Sequence, residues 1–291
     1  MIRKLSKFSI FLFLLYLLWY KEAFSNSTLF LYGGTAVVAI STLLYIHGKT
    51  YKVLSFPKGI KYAIVYGFYS LVIGGVVARD HGLLISSLVT YFAFLFVCCC
   101  ICIICIGEND IKWLFKSIIV ICIFCAAFTI LRGYDYYNGV MVVTMGPENN
   151  PNTLGALMVF GIALMMFRNK RRIMDLVVLL FFMLVFSYVI ILTGSKKSLL
   201  SAAILILVWL VVYLKDIHKN GMFIHKVITI MILCIAGCFA FYYFTVSYLE
   251  TASFERMLGL FTSGSTQIRS NMYEEAYEFL KSSPIFGIGY N

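Results

Sequence analysis

The chain has 291 residues, 62% of them hydrophobic and only 13% charged, with a mean hydropathy of +0.92 and a formal net charge of +11. These values lie outside the range of soluble globular chains and point to a polytopic membrane protein. Most of the basic residues fall in short segments between apolar runs, so the positive balance reports topology and no nucleic-acid partner is expected.

In chain order, nine apolar stretches lie at roughly 8–20, 28–46, 62–78, 82–106, 114–131, 153–167, 173–193, 198–214 and 227–245. Most approach the roughly 20 residues a helix needs to cross a ~30 Å hydrocarbon core, while the first and sixth are short and must extend or tilt. No period-2 pattern runs through them, and a chain in lipid has to pair every backbone amide and carbonyl internally. The predicted fold is therefore all-α, a polytopic bundle of about nine transmembrane helices over 1–245, followed by a partial extracytoplasmic loop over 246–291.

Arg3, Lys4 and Lys7 resemble the basic start of a signal peptide, but no small-x-small cleavage site follows, so the first stretch reads as a retained anchor. Cys98, Cys99, Cys100, Cys102 and Cys105 in the fourth stretch, Cys122 and Cys125 in the fifth, and Cys234 and Cys238 in the ninth all sit inside apolar runs. Redox dithiols and metal thiolates need accessible sulfur with a polar second shell, so these read as packing residues. No metal and no cofactor is expected.

Between the fifth and sixth stretches, Tyr134, Asp135, Tyr136, Tyr137 and Asn138 suit either sugar stacking or anchoring at the bilayer interface. Asn149 and Asn152 stand on either side of Pro151, which forces an extended turn, and their amides suit a glycan or a helix cap. Past the ninth stretch, Ile268, Met272, Ala276, Phe279 and Leu280 recur at helical spacing opposite Glu274, Glu278 and Lys281. That pattern predicts an amphipathic surface helix with Arg269 near its start.

With the amino terminus in the cytoplasm, 16 of the 24 basic residues fall on the inner side and 8 on the outer, in keeping with the positive-inside rule. The outer cations, placed against the bias, are the candidates for chemistry. Lys196 and Lys197 lead them, in the short connector Thr193-Gly194-Ser195-Lys196-Lys197-Ser198. They either snorkel to headgroup phosphates or hold an anionic ligand, and spacing alone leaves both readings open. His81, beside Arg79 and Asp80, is the one histidine on the outer side in this topology. It is a weak candidate for a catalytic base, and an interfacial turn residue is the alternative.

Three stretches, in order, carry a family resemblance. Thr193-Gly194-Ser195-Lys196-Lys197-Ser198-Leu199-Leu200 resembles the Thr-x-Ser-Arg-x-x-x-Leu signature of the O-antigen ligase and O-antigen polymerase (Wzy-like) superfamily of bacterial envelope glycan enzymes. Asn150-Pro151-Asn152 resembles its Asn-Pro-Asn lead into a span, and Arg269 followed by Pro284-Ile285-Phe286-Gly287-Ile288-Gly289 resembles its outer-loop pattern. The resemblance covers roughly residues 130 to 291.

That resemblance implies a protein of the bacterial cytoplasmic membrane that is a metal-independent glycosyltransferase. The donor would be an undecaprenyl-diphosphate-linked oligosaccharide and the acceptor a glycan or a lipid-linked glycan, with membrane lipids around them. The implied substrate-binding set is Lys196, Lys197, Arg269, Arg132, Ser195 and Asn152, whose cations would neutralise the leaving diphosphate.

Two departures qualify it. Lys196 replaces the usual Arg, giving a point charge in place of a two-pronged grip. The chain also ends at Asn291, before the family's catalytic histidine and further spans, so it reads as truncated, with its catalytic residues unassigned. The alternatives are a lipid or solute transporter, or a non-catalytic remnant of the enzyme. Transporters place ionisable groups near the bilayer midplane, whereas Asp175 sits close to a helix end.

Overall fold

A computed structural model of the chain describes residues 2–20, 28–47, 58–77, 81–105, 107–137, 140–146, 150–167, 173–220, 271, 273–278 and 281. The ninth predicted stretch, Arg269 and the motif over 283–290 lie outside the described residues. Each of the other eight stretches is a helix. α1 (Ile2–Leu15) runs into a π-helical turn (Tyr16–Tyr20), and α2 (Thr28–His47), α3 (Lys58–Val77), α4 (His81–Ile104) and α5 (Glu108–Arg132) follow. A hairpin of β1 (Tyr134–Tyr137) and β2 (Val140–Val143) then precedes α6 (Pro151–Met166), α7 (Ile173–Leu192) and α8 (Lys196–Asn220).

Among the described residues, six helices are long and apolar enough to cross a membrane: α2 to α5, α7 and α8. The protein is an all-α, multi-pass membrane bundle. Helix ends overrun the apolar runs wherever polar residues can carry the ladder into water. α5 begins at Glu108 rather than near 114, with Glu108 and Asp110 in the first turn where the helix dipole favours anions.

The hairpin was not anticipated. It pairs Tyr134 with Val143 and Tyr137 with Val140 in antiparallel register, in the connection between two apolar runs. Pairing with itself lets this connection satisfy its backbone groups.

The described elements fall into two compact units, the first comprising α1 to α4 with the start of α5, the second comprising the rest of α5, the hairpin and α6 to α8. In the first unit Ile10 and Phe13 of α1, Val38 and Tyr45 of α2, and Val97 and Ile104 of α4 form a shared apolar core. Lipid tails are as apolar as these side chains, so helix association needs more than hydrophobic contact. Hydroxyls supply it: Ser6 Oγ donates to the Ser41 carbonyl at 2.8 Å, and the Ser9 and Ser41 hydroxyls meet at 2.7 Å.

Asp110 ties the start of α1 to the α4–α5 connection. Its carboxylate is almost fully buried, pairs with Arg3, accepts from Lys7 Nζ at 2.6 Å, and accepts from the Gly107 amide at 3.1 Å. Two cations that topology alone would explain thus also hold the fold. Asp110→Asn is expected to destabilise the protein by about 1–3 kcal/mol, less than a fully buried pair because Arg3 is half-exposed and can rehydrate. Thermal unfolding in detergent checks this, and an unchanged Tm would show that the cluster contributes nothing.

Candidate functional site

The second unit places the predicted connector at a helix-to-helix turn. α7 ends as the Thr193 amide donates to the Val189 carbonyl at 3.0 Å and the Gly194 amide to the Ile191 carbonyl at 3.0 Å. Gly194 has φ +60°, a left-handed conformation that costs an ordinary residue roughly 1–2 kcal/mol, so glycine is the natural residue here. The turn is closed by its own side chains. Thr193 Oγ1 donates to the Ile190 carbonyl at 2.7 Å and accepts from the Ser195 amide at 3.2 Å.

Ser195 begins α8, its carbonyl accepting from the Leu199 amide at 2.9 Å as an N-cap residue does. Its hydroxyl donates to Ser198 Oγ at 2.9 Å, and both serines are buried. Ser195 therefore acts inside the turn in this structure, whereas Lys196 is partly exposed and Lys197 exposed, on the first turn of α8. The amides of a helix's first turn have no acceptor within the helix, so this end of α8 carries positive backbone potential as well as two ammonium groups.

The amino end of α6 lies alongside. Asn150 caps it, its side-chain oxygen accepting from the Asn152 amide at 3.0 Å, and Pro151 occupies the first turn where a missing N–H costs nothing. Asn152 is exposed, so of the two uses foreseen for this segment the cap falls to Asn150 and leaves the Asn152 side chain facing outward. Three residues on, Gly155 is buried against α8: a Cβ there would stand 2.5 Å from Ser198 Oγ, 2.8 Å from Ser198 Cβ and 3.2 Å from Ser195 Cβ. The two helix starts meet at this contact, which brings Asn152 to the same end as Ser195, Lys196 and Lys197.

Arg132, at the end of α5, has partners of its own. Its guanidinium donates to the Met145 carbonyl at 2.7 Å and pairs with Asp135 Oδ1 at 3.2 Å. Thr144 Oγ1 lies 2.6 Å from both Asp135 Oδ2 and the Gly146 carbonyl. Sequence reading missed this hairpin clamp, although an Arg followed three residues later by an Asp was the available signal. His81 opens α4, exposed, in the first unit. Arg269 lies outside the described residues.

Residues 181–291 match the family model described as O-antigen ligase. Over this stretch the chain is similar to the O-antigen ligase family. The O-antigen ligase region thus takes in the second half of α7, the Thr193–Ser195 turn, Lys196, Lys197 and α8, and extends over Arg269. Arg132, Asn152, Gly155 and His81 precede it. Comparison of the whole chain with curated proteins and with solved structures found no match.

Proposed function

We propose that the protein transfers an undecaprenyl-diphosphate-linked oligosaccharide to a glycan acceptor at the outer face of the bacterial cytoplasmic membrane, as a polymerase or ligase of envelope polysaccharide, with its amino terminus in the cytoplasm. The observation that carries this reading is the Lys196–Lys197 pair at the start of α8, inside the O-antigen ligase region and next to the start of α6. A glycosyl diphosphate releases negative charge onto its lipid leaving group as the anomeric bond breaks. Cations and helix amino ends fixed where that charge develops lower the barrier without reorganising.

Lys196 and Lys197 neutralise the diphosphate in this reading, Asn152 and Arg269 complete the substrate contacts, and the Ser195 hydroxyl and Arg132 hold the neighbouring turn and hairpin in place.

Two measurements test it. A cysteine at position 197 is expected to react with a membrane-impermeant maleimide added to intact cells. Deleting the gene is expected to shorten or abolish the surface glycan while lipid-linked precursor accumulates, with wild-type gene restoring both. Labelling only after the cells are opened, or a deletion strain with normal glycan, would overturn the proposal.

A further inference from the structure

We propose that Gly155 and Ser198 are positioning residues: the contact between them sets the separation of the α6 and α8 amino ends, and so the shape of the diphosphate site. The inference rests on the function proposed above, and it concerns residues that the reading of that function leaves without a role.

The geometry permits nothing larger than hydrogen at position 155. The nearest atom to a Cβ there would be the Ser198 hydroxyl at 2.5 Å, followed by Ser198 Cβ at 2.8 Å. Neither belongs to the end of a long flexible side chain, since Ser198 is one carbon from the α8 backbone and its hydroxyl is engaged by Ser195 Oγ at 2.9 Å. A methyl group at 155 can be accommodated only by moving helix against helix. The displaced part of α8 is its first turn, which carries Lys196 and Lys197, and the displaced part of α6 is the turn that follows Asn152. Charge stabilisation by fixed groups falls off when those groups shift by about 1 Å, which can cost of the order of 100-fold in rate.

Gly161 supplies a control on the same helix. A Cβ at 161 would stand 2.9 Å from Phe186 Cε2 and 3.2 Å from Cys122 Cβ, a milder clash, deeper in the bundle and away from the amino ends. Both substitutions strain packing, but only Gly155→Ala pushes directly on the first turn of α8.

The test is equilibrium binding of radiolabelled undecaprenyl diphosphate to the purified full chain in lipid nanodiscs, with Tm measured on the same samples. Gly155→Ala is expected to raise Kd about tenfold or more, with Gly161→Ala changing it less than threefold even where its own Tm falls. Ser198→Gly in the Gly155→Ala background removes both clashing atoms, leaves only Ser195 Cβ at 3.2 Å, and is expected to return Kd to that of Ser198→Gly alone. Ser198→Ala, which removes the hydroxyl and keeps Cβ, should rescue only in part. If Gly155→Ala does not accumulate, the double variant against Ser198→Gly carries the comparison. Wild-type affinity in Gly155→Ala, equal loss in Gly161→Ala, or a folded double variant that binds no better than Gly155→Ala would each overturn the inference alone. Absence of binding by the wild-type chain would overturn it together with the proposed function.

Discussion

Replacing Lys196 and Lys197 together by alanine is expected to reduce glycan transfer by about 100-fold or more, scored as the amount and length of surface glycan in a deletion strain carrying the variant gene. At about 4 Å and an effective dielectric near 20, each ammonium–phosphate pairing gives roughly 4 kcal/mol before desolvation is subtracted. Even a fraction of that, lost twice, exceeds what a residual helix dipole can supply. Lys196 is the more enclosed of the two and Lys197 the more exposed, so Lys196→Ala alone should account for most of the loss.

Lys196→Arg is expected to retain activity or raise it, because a guanidinium offers two parallel donors to one phosphate. Lys197 is exposed, and substitution of such a surface lysine usually changes stability by no more than about 0.5 kcal/mol, so the abundance of Lys197→Ala should hold while transfer falls, and the abundance of the double variant is measured beside its glycan. Normal glycan in the double variant would remove the lysines from the site.

Arg132→Ala is expected to cost about 2–3 kcal/mol in stability, because it strands two groups at once. Asp135 is mostly buried and would keep its charge with only the Thr144 hydroxyl beside it, while the Met145 carbonyl would lose its 2.7 Å donor. Asp135→Asn in the same chain should recover part of that loss, since an amide is far cheaper than a carboxylate to leave without a cation. The double variant should therefore be more stable than Arg132→Ala alone. Thermal unfolding of the four proteins forms the cycle. If the second substitution adds its own full cost instead, the guanidinium–carboxylate pair is not what holds the hairpin, and Arg132 becomes available to substrate.

The two lysines and the arginine show how far one line of reasoning reaches. All three stood out in the sequence for the same reason, as cations running against the insertion bias, and nothing in their spacing told them apart. The structure tells Arg132 from Lys197: Asp135 and the Met145 carbonyl engage Arg132, whereas Lys197 projects from the first turn of α8 with its side chain exposed. Arg3 and Lys7 give the converse case, accounted for by topology until Asp110 is found between them.

The amino-acid sequence by itself determined the class of the protein, the position of eight helices and the resemblance of its second half. Hydrophobic length and the need to pair backbone groups in lipid act residue by residue along the chain. Only the tertiary structure decided that the Tyr134–Val143 segment folds back on itself, that Asp110 gathers Arg3 and Lys7, and that Gly155 meets Ser198 where α6 and α8 begin. Those outcomes depend on which helix faces bury against one another, and the packing of small residues between helices leaves almost no periodic trace in a chain that is apolar on every side.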